Sequence, residues 1–276
     1  MSTAVWVGEQ MSTKADFLKD GFLILKSESI FLLKEKISKH LCEVAEIIVR
    51  RKWGESDNIG GENPRGIQDL LSTIHSKEEN NEITRACYEV FPSTAQIMSL
   101  CDEAVFVDAA KMVGVQYPTP GTVPLVRIDR PNADHFLTPW HQDYWYSFLC
   151  DNSIVIWTSL GEVTEDMGLL EVIPGSHLRG VVPFKKYEKG AEPYEPVESL
   201  DAAKPITVAT AKDEILVFNQ KLLHKSGKNR SNTVRVSLQI RYNDLMTAKE
   251  MTSTFTANHS SFVQNAQSKY IAANGR

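Results

Sequence analysis

The hydrophobic pattern of this 276-residue chain changes near residue 113, and that change limits the folds open to it. Beyond this point the apolar residues no longer recur in helical steps. They form short runs rich in β-branched and aromatic residues, separated by clusters of Gly, Pro and Asn, as in a β-sandwich or barrel. The runs are TVPLVRI (122–128), SIVIWTSL (153–160), GLLEVI (168–173), EILVFN (214–219) and VRVSLQIRY (234–242).

The residues before position 113 predict helices. Along one stretch the apolar side chains recur at steps of three and four, which places them on one face of a helix. These side chains are Ile30, Leu33, Ile37, Leu41, Val44 and Ile48. A second helical region covers about 80–112, with an interruption near Pro92. Between the two, the Gly- and Asn-rich stretch 53–66 predicts a long loop, either a binding loop or a disordered one.

These patterns predict one domain rather than two. A helical part, about 1–112, packs on an antiparallel β-core, about 113–244, and a C-terminal tail covers 245–276. The stretch 184–205 is polar and contains Pro, so we expect it to leave the sheet as an excursion. A chain of this length buries a substantial core, and its 42% hydrophobic content is ordinary for a soluble globular protein.

Charge and cysteine content exclude several classes of partner. The formal net charge of −5 argues against nucleic acid or an anionic membrane, because both favour a basic surface. No stretch approaches the roughly 20 consecutive apolar residues that span a bilayer, and the N-terminus shows no secretory signal. The cysteines at 42, 87, 101 and 150 form no C-x-x-C pair. We therefore expect a cytoplasmic protein without a disulfide frame or a cysteine-ligated zinc site.

The stretch TPWHQDYWYSF (138–148) places His141 and Asp143 two positions apart among aromatic residues. If the stretch is a strand, alternation directs both side chains to one face, about 7 Å apart. An imidazole and a carboxylate on one face can bind one cation. A further histidine would complete the 2-His-1-carboxylate arrangement that suits non-haem Fe(II). The alternative at this point is a structural or surface-polar pair.

The stretch LLHKSGKNRSNTVRVSLQIRY (222–242) predicts a hairpin, because its centre is rich in turn residues. A turn centred between Asn229 and Arg230 would place His224 opposite Arg235, roughly 5 Å away. The second strand alternates an apolar face with a polar one that contains Arg235, Ser237, Gln239 and Arg241. A histidine opposite an arginine on that polar face indicates a site. The alternative is a polar face that is simply exposed to solvent.

Several ordered motifs together resemble the phytanoyl-CoA dioxygenase (PhyH) family. The motifs are the H-x-D at 141–143, GLLEVIPGSH at 168–177, HKSGKNRSNTVR at 224–235 and the opening ADFLKDGFLILKS at 15–27. The resemblance spans roughly 15–244, in the correct order. It implies an Fe(II)- and 2-oxoglutarate-dependent dioxygenase, mainly β with α. Its core would be a double-stranded β-helix, that is, a cupin-like jelly roll, with N-terminal helices packed on it.

The same resemblance implies the roles of the central residues. His141, Asp143 and His224 would be the iron ligands, and Arg235 would bind the distal carboxylate of 2-oxoglutarate. An arginine suits this role because its rigid donor fork binds carboxylates bidentately and stays charged at any working pH. Ser226 lies on the same strand face as His224 and could hydrogen-bond the same carboxylate, or it could bond its own backbone as a turn serine.

The resemblance implies less specific roles for several further residues. Trp157 stands where the family often has an aromatic residue near the co-substrate, although a plain core position is the alternative. Arg127 could line the co-substrate pocket or be a surface charge. His177 is expected to be a hydrogen-bonded structural histidine, and His135 a loop residue. Where the family commonly has a Gly-Asp turn, this chain has Lys-Asp-Glu at 212–214, remote from the expected ligands.

The resemblance also implies the type of reaction. Oxidative decarboxylation of 2-oxoglutarate by O2, giving succinate and CO2, would drive oxidation of a small-molecule substrate. Related halogenases have Gly or Ala at the position of Asp143, so a carboxylate there predicts hydroxylation. The polar strand face and the loop at 53–66 hint at a small polar or anionic substrate. Two alternatives remain: a cupin-like metal enzyme with non-oxidative chemistry, such as an isomerase or epimerase, and a non-catalytic binding protein on the same fold.

Overall fold

The computed structural model describes residues 14–54, 65–134, 137–147, 150–186, 194–196, 200 and 204–248. The α-helices in this part of the chain are α1 (Lys14–Asp20), α2 (Glu28–Trp53), α3 (Ile67–Lys77), α4 (Glu82–Val90), α5 (Ala95–Met98), α6 (Ala104–Met112) and α7 (Tyr144–Ser147). The strands are β1 (Phe22–Lys26), β2 (Pro118–Pro120), β3 (Leu125–Asp129), β4 (Ser153–Ser159), β5 (Leu170–Val172), β6 (Phe184–Lys186), β7 (Tyr194–Pro196), β8 (Ile206–Val208), β9 (Glu214–Asn219), β10 (His224–Ser226) and β11 (Arg235–Asp244).

Two antiparallel sheets form the β-core. The larger sheet has the order β1-β9-β4-β11-β2, with β3 also paired to β11, and the smaller has the order β10-β5-β8. Side chains from both sheets meet in one buried apolar cluster, which therefore lies between them. The members of this interior cluster are Val155, Trp157, Leu170, Val172, Val208, Leu216, Phe218 and Leu222. The arrangement is a double-stranded β-helix with helices packed on the larger sheet, as predicted.

The larger sheet is buried on both faces. On β4, Ile154 and Ile156 pack with the helices, whereas Val155 and Trp157 point into the interior cluster. Burial on both sides explains why this strand is a continuous apolar run. On β11 the predicted apolar face packs against the helices. The polar face of β11 points into the interior and begins with Arg235, which is only 3% exposed, so the solvent-exposed alternative was wrong.

Helix α2 follows the predicted periodicity. The Ser27 hydroxyl accepts a hydrogen bond from the Ser29 amide at the N-terminus, and the helix ends at Gly54 with φ of 94°, a conformation that favours glycine. Its apolar face is buried against α3, α4 and β9, except that Val44 is only partly buried. Helices α4, α5 and α6 cover the second predicted region and are interrupted at Pro92, as expected.

The predicted 222–242 hairpin was wrong. Strands β10 and β11 lie in different sheets, so His224 is opposite Val172 on β5 and Arg235 is opposite Asp129 on β3. The physical reason is that β4 occupies one edge of β11 while β2 and β3 occupy the other, so no hydrogen-bonding edge is left for β10. The five predicted β-runs themselves all contain strands.

Other predictions concern the segments outside the sheets. The excursion at 184–205 contains β6 and β7, which pair only with each other in the part of the chain described. The predicted loop at 53–66 lies mostly outside the described residues, as does the tail beyond 248. Within the described ranges, none of the helices has both the length and the apolar character that a bilayer span requires.

Candidate metal centre

His141 and His224 come together through their backbones. The amide of each donates to the carbonyl of the other, at 3.0 Å and 3.1 Å, in an isolated antiparallel bridge. The two imidazole rings lie 4.1 Å apart between centroids. Residues 83 positions apart in the chain are thereby held side by side, with β10 tied to β5 on its other side. The backbone of the smaller sheet therefore fixes the separation of the two rings.

Backbone carbonyls also fix the orientation of both rings. His141 Nδ1 lies 2.8 Å from the Pro139 carbonyl oxygen, and His224 Nδ1 lies 2.9 Å from that of Leu222. A carbonyl can only accept, so each Nδ1 carries the proton and each Nε2 keeps its lone pair. Burial, together with the neighbouring His141, lowers the pKa of His224 to about 3, so this imidazole is neutral at neutral pH. Neutral imidazoles oriented by a carbonyl are the form that binds metals.

Asp143 completes the group. Its Oδ1 lies 3.5 Å from His141 Nε2 and 4.0 Å from His224 Nε2, and one ligand atom from each residue lies within 4.8 Å of the others. All three residues are buried. Three such atoms could hold one metal ion on one side and leave the opposite side open. The structure thus brings together the three residues that the sequence predicted as ligands.

The local backbone differs from the predicted strand. Residues 139–147 form no strand; after the single bridge at His141 the chain turns into α7, which begins at Tyr144. This turn, rather than strand alternation, directs Asp143 back toward the two histidines. Gln142 stabilises it, because its buried amide donates to the carbonyls of Gly180 and Lys221 and accepts from the Val182 amide. No role for Gln142 was predicted from the sequence.

Two aromatic residues of the motif, Trp145 and Tyr144, are packing groups. Trp145 is buried, stacks on Phe184 at 4.8 Å and donates from Nε1 to Gln142 Oε1. Tyr144 is also buried, and the Lys221 ammonium lies 4.8 Å from its ring centroid. These two aromatic side chains therefore anchor the turn that carries Asp143. Of the aromatic residues near the ligands, Phe218 makes the direct contact, with its ring edge-on to His224 at 4.7 Å.

Arg241 contacts the candidate ligand Asp143 directly. Its Nε donates to Oδ2 at 3.2 Å and its Nη2 to Oδ1 at 3.3 Å, while Nη2 also reaches Gln239 Oε1 at 2.9 Å. Burial by itself raises the pKa of Asp143, but Arg241 and the two histidines hold it well below its usual range. The alternation of β11 placed Arg241 on the same polar face as Arg235. Its contact with Asp143 could not be predicted, because it joins two segments far apart in the chain.

A second charged cluster lies at the other end of β11. Arg235 donates from Nη2 to Asp129 Oδ2 at 2.8 Å, and Arg127 donates from Nη2 to Asp129 Oδ1 at 3.0 Å. Burial raises the pKa of Asp129, yet the two guanidinium groups hold it at about 2. Arg127 also donates from Nη1 to the Thr138 hydroxyl. Arg235 Nε and Nη1 are buried and have no hydrogen-bond partner among the described residues.

The remaining residues that the sequence singled out lie in different surroundings. Trp157 is buried in the interior cluster, and Ser226 lies on β10 with its amide bonded to the Thr138 carbonyl. No hydrogen bond from the Ser226 hydroxyl to its own backbone is found in the described part of the chain. His177 contacts the Leu18 carbonyl through Nε2 at 3.1 Å, which confirms it as a hydrogen-bonded structural residue. His135 lies outside the described residues.

Comparison with known proteins identifies relatives of this chain. The family described as phytanoyl-CoA dioxygenase (PhyH) matches residues 17–237. The peroxisomal phytanoyl-CoA dioxygenase of Rattus norvegicus is 30% identical over 110 residues, which cover 38% of this chain and 32% of that protein. The chain spans about a third to three fifths of the length of the curated relatives it matches.

Two solved structures share the fold. The non-heme monooxygenase ThoJ, in its apo form, aligns with a TM-score of 0.56 at 16% identity, covering 95% of this chain and 99% of its own. EctD from S. alaskensis, solved with 2-oxoglutarate and 5-hydroxyectoine, aligns with a TM-score of 0.54 at 16% identity, covering 88% of this chain and 80% of its own. At these identities the likeness establishes the jelly-roll architecture alone.

Proposed function

From the premise that this chain belongs to the phytanoyl-CoA dioxygenase family, we propose that it is an Fe(II)- and 2-oxoglutarate-dependent oxygenase. The reaction we propose is hydroxylation of a small polar molecule with O2, giving succinate and CO2 as co-products. The family match supports the class of enzyme, while the activity and the substrate of this chain are our inference.

One observation carries the proposal: the convergence of His141, Asp143 and His224. Two imidazoles and one carboxylate, with ligand atoms within 4.8 Å of one another, match the 2-His-1-carboxylate set of non-haem Fe(II) oxygenases. Both rings already have the tautomer that ligation requires, because carbonyls hold their Nδ1 protons. No proton would have to leave His224 when the metal binds at neutral pH, since its pKa is about 3.

The fit of 2-oxoglutarate rests on Arg235. A buried guanidinium that leaves Nε and Nη1 unpaired is costly, because each lost hydrogen bond to a buried donor costs about 1–3 kcal/mol. The distal carboxylate of 2-oxoglutarate would accept from one of these donors together with the second N–H of Nη2, in the planar, bidentate contact that a guanidinium edge makes. Asp129 would keep the guanidinium in place through Nη2. We propose Ser226, Trp157 and Arg127 as further residues around the co-substrate.

The chain's own residues would position the reactants and exclude water. Asp143 would remain a carboxylate at any working pH, and Arg241 would hold its orientation through two hydrogen bonds. Phe218 packs against His224 and limits the rotation of that ring. The apolar interior beside the ligands keeps bulk water out. When bound, ferrous iron and 2-oxoglutarate supply the O2-dependent oxidation chemistry, which belongs to the cofactor rather than to the protein.

The decisive experiment is optical titration without oxygen. We expect the protein with Fe(II) and 2-oxoglutarate together to give a weak visible charge-transfer band, and neither addition alone to give it. Succinate, which lacks the keto group, is the matched control and should give no band. In air, the loaded protein should convert 2-oxoglutarate to succinate.

Other outcomes would favour the alternative functions. Tight Fe(II) binding with no response to 2-oxoglutarate would contradict the proposal and favour a non-oxidative metal enzyme. Binding of neither Fe(II) nor 2-oxoglutarate would favour a non-catalytic protein on the same fold. The anaerobic design separates binding from turnover, so slow reaction with an unsuitable substrate would not be mistaken for failure to bind.

A further inference from the structure

Arg235 and Arg241 stand at opposite ends of the same face of β11. They are six residues apart, so alternation directs both side chains to the interior, with about 20 Å of extended backbone between them. Arg235 bonds Asp129, whereas Arg241 bonds the candidate ligand Asp143. If Arg235 binds the co-substrate, Arg241 lies at the metal side of the site, away from the distal carboxylate. It is therefore placed where the substrate must approach the metal.

Among the described residues of the two charged clusters, the positive charges outnumber the negative charges by one. The described charged groups of the two clusters are three guanidiniums and two carboxylates: Arg127, Arg235, Arg241, Asp129 and Asp143. Ferrous iron and the 2-oxoglutarate dianion cancel each other, so loading the site does not change this balance. A partly buried excess charge is unfavourable in a low-dielectric interior, and an added anion would offset it.

Arg241 is the guanidinium best placed to take that anion. Arg127 is bonded to Asp129 and Thr138, and the free atoms of Arg235 face the proposed co-substrate. Arg241 uses Nε and Nη2, while its Nη1 has no hydrogen-bond partner among the described residues and the side chain is 17% exposed. Once Asp143 shares its negative charge with a metal ion, Arg241 also loses part of its counter-charge.

We propose that Arg241 binds a carboxylate of the substrate, so that the substrate of this enzyme is a small carboxylic acid. The inference rests on the proposed function, because it assumes a metal at Asp143 and 2-oxoglutarate at Arg235. A carboxylate matches the single excess charge, and the N–H bonds of Nη1 can donate directed hydrogen bonds to it. Gln239, which accepts a hydrogen bond from Arg241, keeps the guanidinium aimed at this side of the site.

The test uses the anaerobic protein saturated with Fe(II) and 2-oxoglutarate. Acetate, butyrate, hexanoate and benzoate are each titrated against the corresponding primary amide, at constant pH and ionic strength, and the shift of the visible band is recorded. We expect the acids to shift the band at concentrations at least about tenfold lower than their amides. Equal responses to acids and amides, or no response to either, would overturn the inference. Absence of the band itself would instead refute the proposed function.

Variants separate recognition by Arg241 from binding elsewhere in the site. In Arg241→Gln we expect weaker Fe(II) binding, because Asp143 loses two hydrogen bonds, and the band formed at saturating Fe(II) should respond equally to acids and amides. A preference that survives would mean that the acids bind the metal or Arg235, and the inference would be wrong. Arg241→Lys keeps the charge and should keep the preference for acids. Loss of that preference while the band is intact would also refute the inference. This variant is the decisive one if Arg241→Gln no longer binds Fe(II). Arg230→Gln, which alters an exposed arginine bonded to Asp134, is the control and should behave as wild type.

Discussion

The Asp129→Asn substitution tests the charged cluster that we propose holds the co-substrate arginine. Asp129 is buried between Arg127 and Arg235, at 3.0 Å and 2.8 Å from their Nη2 atoms. Asparagine has nearly the same shape, so the change creates no cavity and removes only the negative charge. Two guanidinium groups, 13% and 3% exposed, would then lose the carboxylate that lies between them. Removing one partner of a buried ion pair costs about 3–5 kcal/mol, and we expect a loss in this range.

The pH dependence of stability provides an independent measure of the same interaction. The pKa of Asp129 is about 2 in the folded protein, against 3.8 ordinarily, which corresponds to about 2 kcal/mol of stability at neutral pH. Because the folded pKa is the lower one, this stability is complete above about pH 4 and is lost as the pH falls through 2. The substitution costs more than this amount, since it also removes the charged acceptor that both guanidinium groups share.

Urea unfolding of the metal-free protein measures the effect. At pH 7 the free energy of unfolding should fall by the stated amount with an unchanged dependence on urea, and saturating 2-oxoglutarate should restore part of it by giving Arg235 a carboxylate. The control is Asp134→Asn, an exposed carboxylate bonded to Arg230, which should leave the urea midpoint unchanged. A loss below about 1 kcal/mol for Asp129→Asn would refute our account of the cluster.

Three further substitutions test other parts of the structure. Arg235→Gln should raise the dissociation constant for 2-oxoglutarate about 100-fold or more, because two charge-assisted hydrogen bonds are lost. The visible band measures this constant. A rise below about fivefold would count against Arg235 as the co-substrate arginine. His224→Ala should abolish stoichiometric Fe(II) binding in a metal analysis, while the structural control His177→Ala should retain it. Gly168→Ala should lower the free energy of unfolding by at least about 2 kcal/mol, because φ is +76° and a Cβ atom would lie 2.5 Å from the Gly227 carbonyl; a stability equal to wild type in urea would contradict this.

The three predicted ligands lie close together in the structure, although the strand and hairpin geometry predicted for them was wrong. His141 and Asp143 were expected to share a strand face, and His224 was expected to face Arg235 across a hairpin. The structure instead uses a turn into α7 for Asp143 and a single bridge between His141 and His224. The residue types and their order along the chain carried the prediction, because ordered motifs reflect the site as a whole. Local periodicity could not show which strands share an edge.

Arg241 and Gln142 show what sequence reasoning missed. Alternation along β11 placed Arg241 on the same face as Arg235, but its bond to Asp143 spans 98 residues and follows from how β11 lies beside the turn before α7. Gln142 is the middle residue of the H-x-D motif, which the motif leaves unspecified, yet it makes four hydrogen bonds that fix the turn. Both side chains act through long-range contacts, for which a single sequence contains no local signal.

The sequence by itself determined the helical first part, the five β-runs, the two faces of β11 and the residue types of the candidate centre, because these depend on local periodicity and on the chemistry of single side chains. Only the tertiary structure decided which edge each strand occupies, that the polar face of β11 is interior, and that Asp129 joins two arginines. Those features depend on competition among strands for a limited number of hydrogen-bonding edges and on burial of charge between distant segments. Such competition is settled when the whole core packs.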